Sequence, residues 1–296
     1  MKSLRILALI LLFNLIQTEM EAQSFKTIES AKLKLQVHNA SESSFGVASV
    51  IISGENEAVL IDAQFTLADA EKVAQQIKDS GKKLTAIYIS HGDPDFYFGM
   101  EVFKKYFPEV TAYATAATIE HIKATAQKKL EVWGERLGKA ITSNAVLPQI
   151  LKTSDLTVDG ERLEIIKLDT APERAFVWIP SIKAVVGGIN VFGTTFHLWM
   201  ADAQTPEARN MWLSVLSKIE SLQPEIVVPA HAKSDSSFDV KAVQHTREYV
   251  KFYGEALNTY KTSAELISAV KKRYPDLTFE VALQIGAKVN TGEMKW

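Results

Sequence analysis

Hydrophobic and polar positions in this chain switch between two periods, short β-branched runs and longer stretches with a three-to-four-residue repeat, which together predict an α/β protein. Residues 45–52 and 58–61 read as strands around Ser53-Gly54-Glu55-Asn56-Glu57, a hairpin turn. Residues 66–78 have helical spacing at Leu67, Val73 and Ile77, Gly81 breaks the pattern, and the apolar run 84–89 predicts a buried strand. A short helix over 99–106, a strand over 110–114 and a long amphipathic helix over 117–137 follow. Residues 156–158 and 163–168 flank Asp159-Gly160, a strong two-residue hairpin signal. Then come a strand over 175–179, a Pro180-Ser181 turn, and 184–186 leading into Gly187-Gly188. A helix over 206–222 precedes Ile226-Val227-Val228-Pro229, which runs into Ala230-His231. Helices over 238–260 and 263–274 close the chain, with Asp239 and Ser263 as N-cap candidates. No repeat of fixed period and no low-complexity linker interrupts the series, so residues 23–296 are expected to form one layered domain.

The first residues change the picture of where the protein works. M-K-S-L-R supplies positive charge, residues 6–16 are almost wholly apolar, and Ala22-Gln23 is a plausible cleavage region. This is the pattern of a signal peptide over residues 1–22, implying a periplasmic or secreted protein. The run is too short for the ~20 residues of a spanning helix, a permanent N-terminal anchor being the alternative, and the mature protein is expected to carry no membrane span. Of 296 residues, 47% are hydrophobic and 23% charged, and the net charge of -2 argues against nucleic acid or anionic lipid as a partner. With no cysteine, any metal must be held by His, Asp, Glu, Asn, backbone or water.

Candidate chemistry concentrates where the strand over 84–89 opens into S-H-G-D-P-D-F-Y-F-G. His91, Asp93 and Asp95 stand at two-residue steps, which suggests a metal or acid/base site. The competing reading is structural, with the carboxylates capping a helix that starts near Tyr97. Phe96, Tyr97, Phe98, Trp178, Phe196 and Trp199 border the same region as pocket walls or as core.

Four landmarks in order carry a resemblance: Asp62 ending V-L-I-D, the His91 loop, Trp178-Ile179-Pro180 leading to Gly187-Gly188, and V-P-A-H ending at His231. With them the chain resembles the metallo-β-lactamase fold superfamily, four-layer αββα hydrolases that usually bind two zinc ions. The superfamily's first motif is H-x-H-x-D-H, and the aligned residues here are His91, Asp93, Asp95 and Phe96. Its histidine in the loop near residues 169–173 and its late bridging Asp have no counterpart, since this chain offers L-D-T-A-P and Gly188-Ile189-Asn190 there.

The resemblance implies a single metal held by His91, Asp93, Asp95 and His231. Zinc is the expected occupant, with manganese or iron competing because two carboxylates harden the donor set. A metal-bound hydroxide would attack an ester, amide, lactone or phosphoester of a small-molecule substrate, with Asp95 orienting the water or acting as its base. His197, Asp169 and Asp202 are candidates for an additional site, against a packed histidine beside Trp199. Glu173 and Arg174 line a substrate pocket or form an ordinary turn, Asp62 holds the first loop, and His38, His121 and His245 are read as outside the site. A non-catalytic protein of the same fold that binds a ligand or partner is the alternative function.

Overall fold

The computed structural model describes residues 25–296, so the segment expected to be a signal peptide lies outside the described residues. Strands β1 (Lys26–Glu29), β2 (Lys34–Asn39), β3 (Ala48–Ser53), β4 (Glu57–Ile61), β5 (Lys83–Tyr88), β6 (Ala112–Ala114) and β7 (Gln149–Ile150) form one sheet in that order. It is antiparallel through β4 and parallel from β4 to β7. Strands β8 (Asp155–Val158), β9 (Glu161–Leu168), β10 (Ala171–Ile179) and β11 (Ala184–Val186) form an antiparallel meander. Strand β12 (Ile226–Val227) joins β11 in parallel. Asp159 and Gly160 both have positive φ, 46° and 83°, as a primed two-residue hairpin requires.

Alternation along the strands builds the layers. Val50, Ile52, Val59 and Ile61 face Val177, Ile179 and Val186 in the core between the sheets, whereas their neighbours Ile51 and Leu60 belong to the core beneath the helices. Helix α1 (Leu67–Asp79) opens where the Thr66 side chain accepts the Asp69 N–H, and it buries Val73 and Ile77. The turn α2 (Pro94–Tyr97), α3 (Met100–Tyr106) and α4 (Ala116–Leu137) follow on the way to β7. Over the second sheet, α5 (Pro206–Ser221) starts at a Thr205 cap and buries Trp212, Val215, Leu216 and Ile219 at helical spacing. Helix α6 (Lys241–Thr259) packs beside it. The result is the four-layer αββα sandwich that the resemblance implies.

Strand β7 was not expected from the sequence, and the two ends of the chain differ from expectation as well. Strands β1 and β2 precede the first predicted strand, and α8 (Glu280–Asn290) follows α7 (Ser263–Arg273), so the chain closes on three helices. Helix α7 is capped by Thr262 in a reciprocal pair with Glu265, while Ser263 sits inside the first turn and bonds to Glu293. Asp239 does serve the start of α6, accepting the Lys241 N–H at 2.8 Å, although Val240 is the cap residue. Among the described residues no helix is long and apolar enough to cross a membrane.

Candidate functional site

Three strand ends are tied together by one carboxyl group. Asp62, just past β4 and held at φ 62°, accepts the Ser90 N–H at 2.7 Å and the Ser90 hydroxyl at 2.6 Å. Ser90 Oγ in turn accepts the Gly188 N–H at 2.7 Å, which brings in the segment after β11. Gly188 has φ 75° and a Cβ there would stand 2.2 Å from the Ala175 carbonyl oxygen, so no larger residue fits. Asp62 therefore holds the first loop, as expected. Burial raises its pKa to about 7, against the hydrogen bonds from Ser90 that lower it. Its folded pKa lies above its unfolded value, so the neutral form's contribution is complete below about pH 4 and is lost as the pH rises to about 7. The stability lost in Asp62→Ala is therefore expected to be larger at pH 5 than at pH 8. Urea denaturation at the two pH values reads this directly, and an equal loss at both would contradict it.

From Ser90 the chain turns into the predicted loop. Asp93 is the N-cap residue of α2 with Pro94 at the first helical position, yet its carboxylate makes no bond to the helix amides. It faces away, and Lys129 Nζ on α4 donates to its Oδ1. His91 Nδ1 accepts the Asp93 N–H at 3.2 Å and lies 3.4 Å from Asp93 Oδ2. Burial, opposed by Asp93 and aided by nearby His121, Lys129 and Arg174, lowers the His91 pKa to about 3 and keeps the ring neutral. Burial pushes the Asp93 carboxyl up, but the Lys129 charge in contact with it holds it well below the usual range.

Helix α4 supplies two residues that the sequence reading placed elsewhere or passed over. His121 and Lys129 are eight residues apart, two helical repeats of about four, and so share a face. His121 Nε2 lies 3.6 Å from Asp93 Oδ1 and 3.3 Å from Lys129 Nζ. An ammonium only donates, so Nε2 accepts and Nδ1 carries the proton, facing Glu173 Oε2 at 3.9 Å. The approach depends on Gly92, where a Cβ would stand 2.6 Å from His121 Cδ2. His121 thus belongs to the site, contrary to expectation. The available signal was this His121/Lys129 stripe on a helix whose N-terminus follows the neighbouring parallel strand β6.

His231 and Asp95 form a second pair. His231 follows β12, bridges to both Val47 and Phe192, and donates from Nδ1 to the Phe45 carbonyl at 3.0 Å. That leaves Nε2 facing Asp95 Oδ2 at 3.6 Å. Phe192 stacks on the imidazole at 4.9 Å, and burial lowers its pKa to about 4. Burial, then the neighbouring Asp93 charge, raises the Asp95 pKa well above the ordinary carboxylate value. Phe96 touches both pairs edge-on, 5.3 Å from the His91 ring and 5.7 Å from the His231 ring.

A cavity of about 430 Å³ opens beside the first pair, lined by His91, Asp93, His121, Arg174, Trp199 and Trp212 among others. Asp202 lines it too, accepting the Trp296 indole N–H at 2.6 Å. The other two additional candidates do not reach it. Asp169 is exposed in the turn between β9 and β10, and His197 is packed in the core with Nδ1 3.1 Å from the Tyr249 hydroxyl. His245 lies in that core as well, donating to the Phe196 carbonyl. Of the aromatic residues, Trp199 is a cavity wall, while Phe96, Tyr97, Phe98, Trp178 and Phe196 are core.

A family model of the metallo-beta-lactamase superfamily matches residues 44–182. Solved structures agree over most of the chain. The metallo-beta-lactamase IND-7 superposes with a TM-score of 0.55 at 18% identity, covering 78% of this chain and 99% of its own. DIM-1 metallo-beta-lactamase gives 0.54 at 18%, covering 77% and 97%, and the metallo beta lactamase from Hirschia baltica gives 0.54 at 16%, covering 76% and 97%. The chain has the metallo-β-lactamase fold. The comparison with curated proteins returned no match.

The metallo-β-lactamase fold is a fold of metallo-hydrolases whose members typically bind zinc, and the residues present here do not fit such a centre. Among the described residues no three His, Asp or Glu side chains are placed to hold one ion. The four expected ligands stand as two pairs, His91 with Asp93 and His231 with Asp95, with the Phe96 ring against both imidazoles. The cation that Asp93 carries is the Lys129 ammonium. A metal at Asp93 and His121 would have to displace a charge that the chain itself supplies.

Proposed function

We propose that this protein uses the metallo-β-lactamase fold to bind a small organic molecule in the cavity beside His91, and that the cavity works without a resident metal ion. The observation that carries this reading is the Lys129 ammonium, which donates to Asp93 and to His121 and spends the donors a metal needs. A fixed ammonium supplies positive charge to a bound molecule but, unlike a metal, does not make a hydroxide from bound water. The cavity has the features of a ligand site, namely apolar and aromatic walls with a few convergent polar groups.

Elemental mass spectrometry on protein purified without chelator or affinity metal, followed by zinc, manganese and iron titrations, tests it. The expected result is less than a tenth of an equivalent of metal, on the order of background, and no saturable uptake in wild type or His91→Ala. About one equivalent that disappears in His91→Ala would overturn the reading in favour of a single-metal hydrolase.

A further inference from the structure

Arg174 enters the cavity from β10 with most of its donors unspent. Its Cζ lies 4.3 Å from the centre of the Trp212 ring, and Nη1 reaches the Ile189 carbonyl over a long 3.5 Å. Asp202, Asp93 and Glu173 act on it through space, yet each is engaged elsewhere: Asp202 with the Trp296 indole, Asp93 with Lys129, Glu173 with His121. Among the described residues the guanidinium has no ion-pair partner of its own. Its setting is firm. Asn190 Nδ2 donates to the Arg174 carbonyl at 3.0 Å, and Trp212 Nε1 donates to the Asn190 carbonyl at 2.8 Å, so the charge and the ring beneath it are tied through one residue.

We propose that Arg174 anchors the carboxylate of an apolar monocarboxylic acid whose body lies along Trp199, Trp212 and Met211. The proposal rests on the reading of the cavity as a metal-free small-molecule site and adds the ligand's chemistry. A partly buried guanidinium, stacked on an aromatic face, presents a planar fork that matches two carboxylate oxygens. A neutral ligand gains nothing from the charge on that fork. A phosphate dianion brings two charges into a space already bordered by Asp202, Glu173 and Asp93, whereas a monocarboxylate brings one and so meets less repulsion there. The Ile189, Trp199, Met211 and Trp212 side chains around the opening reward an apolar body.

The test is equilibrium binding to the full-length protein, followed by tryptophan fluorescence and calorimetry, with four probes: 2-naphthylacetate, octanoate, 2-naphthylacetamide and inorganic phosphate. The expected result is saturable binding of at least one carboxylate, an amide weaker by about tenfold or more, and no binding of phosphate. Arg174→Met is expected to weaken the carboxylate by about tenfold while leaving the amide unchanged, with Arg174→Lys between the two. Should Arg174→Met fail to fold, the carboxylate-to-amide ratio on wild type still decides. Equal binding of carboxylate and amide, tighter binding of phosphate, no binding of either carboxylate, or an Arg174→Met protein with unchanged carboxylate affinity overturns the proposal. Stoichiometric zinc uptake would instead strike the metal-free reading beneath it, so the two failures are distinguishable.

Discussion

Replacing Lys129 by methionine is expected to cost the fold roughly 2–3 kcal/mol at neutral pH, somewhat less than the cost of breaking a fully buried ion pair. The discount reflects side chains that keep 20% and 17% of their exposure at Lys129 and Asp93. The loss arises because Asp93 is held well below the usual carboxylate range chiefly against its own burial, and Lys129 is the largest of the groups that offset that burial. Without the ammonium, a charged carboxylate stays beside the neutral His91 ring with no cation in contact. Adding Asp93→Asn to Lys129→Met should regain most of the loss, since it removes the stranded charge. Urea denaturation of the wild type, both single variants and the double variant closes the cycle. A Lys129→Met protein as stable as wild type would mean that the pair contributes nothing and that the ammonium is incidental.

Zinc binding should appear when the obstacles are removed together. In the triple variant Asp93→His, Phe96→His, Lys129→Ala, zinc affinity is expected to rise at least about a hundredfold over wild type, equivalent to about 2.7 kcal/mol. Phe96 already touches the His91 and His231 rings, so an imidazole grown from the same Cα faces both. Replacing Asp93 supplies the second histidine of the superfamily motif, and removing Lys129 withdraws the competing cation. Zinc titration against a competing chelator measures the gain. A folded triple variant with no more zinc affinity than wild type would show that Phe96 and Lys129 are not what closes the site to metal.

The architecture was readable because strand alternation and helical spacing are local signals. Val50 and Ile51 announce two faces of one strand by their neighbours alone, and the Asp159-Gly160 turn names its own geometry. Strand β2 was missed although its Leu35 and Val37 are buried, because it pairs with β3 across a connection of eight residues rather than a tight two-residue turn. Helix α8 was missed because Phe279 enters it in a left-handed conformation that the sequence does not advertise. The His91 loop, Asp93, Asp95 and His231 could be picked out by motif order, but their pairing could not. It depends on where Phe96 points and on which side chains of α4 reach back across Gly92. His121 and Lys129 share a helix stripe that the sequence displays, but only the fold sets that stripe against the loop some thirty residues earlier.

The source of the positive charge at Asp93 has a consequence for how the protein meets its surroundings. An ion is borrowed from the medium and can be withdrawn by a chelator or denied by scarcity, while a lysine on α4 is present from the moment the chain is synthesised. If the cavity works without a metal, as proposed, the cation at its head is the same in zinc-starved and zinc-rich surroundings, and its supply is a matter of translation rather than of metal traffic.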